Sequence, residues 1–214
     1  MFLCLRIDLD YVPWDSPDAH EFGHGEPAAF LKLLDLARST GNRFHFFVSN
    51  RVLRAFPATA EAILNEGHDL DWFHKHPEEA SGRFDEAIQL FSTLGHKPTG
   101  LSVKSIWPID AVPPANLSFL SASPESPIQG IRLFSVDTKS DRDAARNGLS
   151  VRAWTETIKA QIRDAASRNG NVTISVRPQV LAKFDPKLSH VREMLEIARA
   201  VGLPIKTLRQ ALDD

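Results

Sequence analysis

Two aspartates stand one residue apart at the end of the first apolar run, Leu5-Arg6-Ile7-Asp8-Leu9-Asp10. A second polar cluster, His74-Lys75-His76-Pro77-Glu78, closes a later run that reads as the third strand. Residues two apart on a strand share a side, so Asp8 and Asp10 can aim at one pocket; His74 and His76 can do the same while the chain stays extended. Where strands and helices alternate, the ends of successive parallel strands converge. Two carboxylates and two imidazoles would then face one pocket. Close carboxylates repel, and a cation between them relieves the cost. Carboxylate together with imidazole suits zinc, iron, manganese or cobalt. The expectation is a divalent-metal site, zinc first, with Glu78 as a further ligand or base. Each half alone has a plainer account. A loop aspartate caps a turn, and Pro77-Glu78-Glu79 suits a helix N-terminus.

The elements that must carry these residues alternate from end to end. Strands are expected over Phe2–Ile7, Arg43–Val48, His68–Phe73, Gly100–Ser105, Leu117–Ser121, Ile131–Val136, Val172–Val176 and Pro204–Thr207. Helices are expected from Pro27 to Gly41, over Ala58–Glu66 and Glu79–Leu94, around Trp154–Ala165 and Leu188–Ala198, and briefly over Leu208–Leu212. Helical spacing such as Phe84, Ala87, Ile88 and Phe91, ended by Gly95, supports them. Strand–helix alternation implies a parallel α/β architecture, either a barrel or an open sheet. No repeat or linker divides the chain, so residues 1–214 are read as one domain. Tyr11–Gly25, with His20 and His24, reads as a loop, and Pro108–Arg146 is the least regular stretch.

A chain of 214 residues with 43% apolar and 24% charged residues has the make-up of an ordinary globular protein. Its net charge of −2 gives no reason to expect a nucleic-acid or anionic-membrane partner. No run approaches the roughly 20 apolar residues of a membrane span. Cys4 is the single cysteine, which rules out an internal disulfide and a cysteine-rich zinc site. The first strand begins at Phe2 with no signal peptide before it, so a cytoplasmic location is expected. There is no G-x-G-x-x-G, P-loop, H-E-x-x-H or G-x-S-x-G. Trp72 and Trp107 fall near strand ends, where they could wall a sugar site or simply fill the core.

Ile7-Asp8-Leu9-Asp10, Phe46-Phe47-Val48, Glu66-Gly67-His68-Asp69-Leu70, Leu94-Gly95-His96-Lys97-Pro98-Thr99-Gly100 and Val201 to Leu208 follow one another along the chain. This order resembles the polysaccharide deacetylase family, carbohydrate esterase family 4. The resemblance runs from about Leu5 to Leu212. It implies a distorted (β/α) barrel and metal-dependent hydrolysis of a non-peptide C–N bond, an N-acetyl amide, on a carbohydrate or small amide. It implies Asp8 as general base and Asp10 as metal ligand. Where the family has a second histidine four residues after the first, this chain has Glu78, so the implied metal set is Asp10, His74 and either Glu78 or His76. The arginine of the third motif is missing, with Ser102 and Lys104 nearby. Where the family has histidine before proline as general acid, this chain has Arg177-Pro178. Arginine keeps its proton, which leaves His76 as the acid or Arg177, with Lys104, as oxyanion stabiliser. The alternative is an impaired member that acts as a carbohydrate- or anion-binding module.

Overall fold

A computed structural model describes residues 1–10, 27–108, 112–124, 130–136 and 138–213, leaving aside the side chains of 27–29, 104–106, 123 and 124. β1 (Phe2–Leu9) is buried at every position, so both its faces are covered, as in a parallel sheet between two layers. Its odd residues, Leu3, Leu5, Ile7 and Leu9, belong to the large apolar cluster. Its even residues Phe2 and Cys4 belong to a second cluster with Phe47, Phe73, Phe119, Phe134, Leu208 and Ala211.

Two clusters on two faces of one sheet describe a barrel with a filled interior and an outer helical coat. The other strands are β2 (His45–Val48), β3 (Asp69–His74), β4 (Gly100–Trp107), β5 (Phe119–Pro124), β6 (Arg132–Phe134) and β7 (Asn171–Val176). All pair in parallel, in the order β6-β5-β4-β3-β2-β1-β7. The seven strands form a nearly closed barrel of the deacetylase type, as the sequence resemblance implies. At Gly100 a side chain is excluded, because a Cβ there would overlap the Phe119 ring inside the barrel.

The coat comprises α1 (Pro27–Thr40), α2 (Asn50–Ala55), α3 (Pro57–Asn65), α4 (Ala80–Ser92), α5 (Asp141–Arg146), α6 (Val151–Ser167), α7 (Pro178–Phe184) and α8 (Ser189–Ala200). α2, α5 and α7 were not expected. They have six or seven residues, too few for an apolar stripe to repeat, and they start from a Ser49 cap, a Ser140 cap and Pro178. The expected last strand, Pro204–Thr207, is a single bridge between Leu3 and Ile205. The expected final helix, Leu208–Leu212, is a run of turns.

That last segment closes the barrel floor. Asp71, inside the barrel, accepts hydrogen bonds from His45 Nε2 at 3.0 Å, Arg209 Nε at 2.8 Å and Arg209 Nη2 at 2.7 Å. It also accepts Thr99 N at 2.7 Å and Gly100 N at 2.9 Å. Burial pushes the Asp71 carboxyl up, but the Arg209 and His45 bonds outweigh it and hold it below the usual range. His45 is thus structural. Among the described residues, no helix is long and apolar enough to cross a membrane.

Candidate functional site at the mouth of the barrel

Register decides which side chains meet at the other end of the barrel. On β1 the inward residues are Arg6 and Asp8, with Asp10 next along the chain. Asp8 pairs with Phe47 on β2, and Phe47 with Asp71 on β3. Partners side by side in a parallel ladder share a face, so Asp69, Asp71 and Phe73 are the inward residues of β3. His74 is not among them. It pairs with Val103 of the outer cluster, and its ring stacks on Trp72 at 5.0 Å. β3 ends at His74 and the chain bends at Lys75, so strand phase does not carry on to His76.

The level of Asp8 is a closed polar knot. Arg6 forks onto the carboxylate, Nε to Oδ1 at 2.9 Å and Nη2 to Oδ2 at 2.7 Å. The Ser102 hydroxyl donates to Oδ1 at 2.9 Å and the Ser175 hydroxyl to Oδ2 at 3.2 Å. Arg6 spends its remaining donors on Ser121 O at 2.8 Å, Ser121 Oγ at 3.1 Å and Val103 O at 2.7 Å. Asp8 is 1% exposed. A carboxylate offers about four acceptor positions, and all are taken.

Asp10, one layer higher, lines a cavity of about 320 Å³ together with Ser49, Asn50, Arg51, Arg54, Phe73, His74, Lys75, His76, Glu79, Arg83 and Glu86. Burial raises the Asp10 carboxyl above the usual range, against the Ser49 hydroxyl and the charges of Arg51, Arg177 and Lys75. Ser49 Oγ also accepts Val52 N at 3.3 Å as the cap of α2, which fixes the hydroxyl beside Asp10. Arg177 leaves the end of β7 with its guanidinium 6.0 Å from the Phe73 ring centre. The Arg177 backbone N–H donates to Asp141 Oδ2 at 2.9 Å, and the Arg142 backbone N–H donates to Oδ1 at 2.7 Å. Burial pushes the Asp141 carboxyl up to about 7. Burial lowers Arg177, with Asp8 and Asp141 opposing it, yet guanidinium stays charged.

The residues expected to act together divide into groups. Asp10, His74 and His76 border one cavity, but the charges acting on Asp10 are Arg51, Arg177 and Lys75. Those acting on His74 are Glu79, His76, Arg83 and Glu78, and burial, the largest influence, lowers its imidazole. His76 and Glu78 lie 3.4 Å apart, half or more exposed. Among the described residues, no three of His, Cys, Asp or Glu come together as a metal-holding group. His74 Nε2 is buried without a hydrogen-bond partner, while the ring stacks on Trp72 and the residue lines the cavity. Asp10 and His74 thus border the same cavity, Glu78 is not among its lining residues, and the three are not gathered as one donor set among the described residues. The Lys104 side chain, Trp14, His20 and His24 lie outside the described residues. Trp72 and Trp107 are 0% and 1% exposed and belong to the core rather than to a sugar wall.

Arg6, Arg51, Lys75 and Asp141 carry site roles that the sequence reading did not assign. Arg6 had a visible signal, since a lone charge inside a buried apolar strand requires a buried partner. Asp8, two residues away, is that partner.

Neither a protein-family model nor a curated protein matches the sequence. Solved structures do. One assigned as a polysaccharide deacetylase from Mycobacterium smegmatis superposes with a TM-score of 0.74 at 13% identity, over 99% of this chain and 88% of that one. The fold is that of the polysaccharide deacetylases. The Puue allantoinase shares it with a TM-score of 0.67 at 11% identity, over 92% and 84% of the two chains. BA3943 from Bacillus anthracis, described as a CE4 family pseudoenzyme, aligns with a TM-score of 0.60 at 9% identity, over 98% of this chain and 64% of its own. The deacetylase barrel thus occurs in proteins described as deacetylase, allantoinase and pseudoenzyme, so the barrel leaves the activity open and the residues of the mouth must decide it.

Proposed function

We propose that this chain is a binding protein on the polysaccharide deacetylase barrel, holding a carbohydrate or related small molecule beside Asp10 and leaving its amide bonds intact. One observation carries this reading. Each aspartate that the family resemblance makes catalytic or metal-binding is matched by cations of the chain itself: Arg6 closes on Asp8, and Arg51, Lys75 and Arg177 surround Asp10. A base must offer a lone pair to the water it activates, and Asp8 has none to offer. A general acid must release a proton, and Arg177 does not. The pseudoenzyme with this fold is consistent with such a loss.

A second reading is hydrolysis of a C–N bond in a carbohydrate or small amide. It draws on Asp10, whose burial-raised carboxyl has the direction needed by a base near neutral pH. Lys75 and Arg177 could then hold an oxyanion. The test is acetate release from N-acetylated sugar oligomers, and ring opening of a cyclic ureide, with and without zinc, manganese or cobalt. The binding reading expects turnover no higher than in Asp10→Ala, and saturable sugar binding by calorimetry. Turnover in the wild type that disappears in Asp10→Ala would replace it with the second reading.

A further inference from the structure

The cavity beside Asp10 is unevenly charged. Four cationic side chains and three carboxylates line it, but they do not mix. Arg54 and Arg83 both turn to Glu86, and Glu79 acts on His74. Arg51 and Lys75, with Arg177 from outside the lining, act on the single carboxylate of Asp10. Arg177 is also drawn to Asp8 and Asp141 below it, which leaves Arg51 and Lys75 as the cations facing the opening; both are exposed at the surface or its edge. A neutral sugar would leave this excess charge unmatched. A bare anion would meet Asp10 at close range, and like charges there repel. A ligand that separates its functions fits better: a hydroxyl donating to Asp10 and, a few ångströms away, a carboxylate accepting from the ammonium and guanidinium. The volume, about 320 Å³, is at the small end of ligand sites and suits one ring.

We infer that this cavity takes an acidic monosaccharide, its carboxylate on Lys75 and Arg51 and a ring hydroxyl on Asp10. The inference rests on the binding reading above and names the ligand class for it. Lys75 is the decisive residue, because it lines the cavity with Asp10 and acts on that carboxylate as a full positive charge. Screening follows from the same geometry, since ion pairs at an open mouth weaken with ionic strength.

The test is calorimetric titration of the full chain with D-glucuronate, D-glucose, N-acetyl-D-glucosamine and inorganic phosphate, at low and high salt. Lys75→Gln, Arg51→Gln and, as a control, Arg54→Gln are compared, with folding checked by circular dichroism. Glucuronate is expected to bind about tenfold or more tightly than glucose, and more weakly at high salt. Lys75→Gln and Arg51→Gln remove most of that preference, while Arg54→Gln, whose charge already serves Glu86, retains it. Equal binding of glucose and glucuronate overturns the inference but spares the binding reading. So does glucuronate binding that Lys75→Gln and Arg51→Gln leave unchanged. Phosphate binding as tight as glucuronate overturns the sugar part. Metal-stimulated acetate release from the N-acetyl sugar instead overturns the binding reading, independently of the glucuronate preference.

Discussion

At the floor of the barrel, Asp71 accepts five hydrogen bonds and is held below the usual carboxylate range. At the mouth, Asp10 is only partly buried, has Ser49 as its hydrogen-bond donor, and is held above that range. Both aspartates meet arginine. At the floor, Arg209 forks onto the carboxylate within hydrogen-bond distance, so attraction exceeds the cost of burial. At the mouth, the cations act as neighbouring charges without forming the fork, and burial wins. A saturated carboxylate stabilises the fold and has nothing left for a ligand. An undersatisfied one is a poorer structural element and a better receptor. Asp8, between the two levels, belongs with the floor.

Breaking the floor gives the largest effect. Asp71→Ala leaves the buried His45, the partly exposed Arg209 and the backbone N–H groups of Thr99 and Gly100 without their acceptor, and removing one member of a buried ionic pair costs up to about 3–5 kcal/mol. Urea unfolding should show a loss of that size, and a loss below about 1 kcal/mol would remove the contrast between the two ends. Asp141 sharpens the comparison through pH. Its carboxyl lies near 3.8 unperturbed and is raised to about 7 in the fold, so the folded state binds the proton more tightly than the unfolded one. Its contribution to stability is therefore complete below about pH 4, falls as pH rises to about 7, and is flat beyond. Asp141→Asn should flatten the melting temperature over that window by several degrees, whereas an unchanged pH profile would show that Asp141 does not titrate there. The smallest effect belongs to the mouth. Asp10→Asn removes a charge that burial disfavours, so stability at pH 7 should hold or rise by less than about 1 kcal/mol. A marked loss would mean that Asp10 is a structural carboxylate like Asp71.

The barrel was legible because its strands announce themselves. Phe2–Ile7 and Val172–Val176 are short apolar runs bounded by turn residues, and the long helices repeat their apolar faces. The site was half legible. Spacing put Asp8 at the end of the first strand with Asp10 just beyond it, and Asp10, His74 and His76 do border one cavity. It did not reveal that Asp8 and His74 lie on opposite faces of the sheet, because the face of a strand is set by its neighbours: Phe47 beside Asp8 and Asp71, and Val103 beside His74. A shift of one residue exchanges every inward side chain for an outward one, and Trp72-Phe73, two large apolar residues in succession, suits either phase. Ser102 stands near the place where the family resemblance expects arginine; the guanidinium that reaches Asp8 comes instead from Arg6, two residues away on the same strand.

The bond from Arg209 to Asp71 spans 138 residues, and the bridge from Leu3 to Ile205 joins the first strand to the last segment. During synthesis, at about 5–20 residues per second, the floor therefore stays open for on the order of ten seconds after β1 leaves the ribosome. Through that interval Phe2, Cys4 and Phe47 have no Leu208 or Ala211 to cover them, and Asp71 has no arginine. The nascent N-terminal half is thus a natural client for a holding chaperone, and cell-free translation halted before residue 205 should yield chains that bind one.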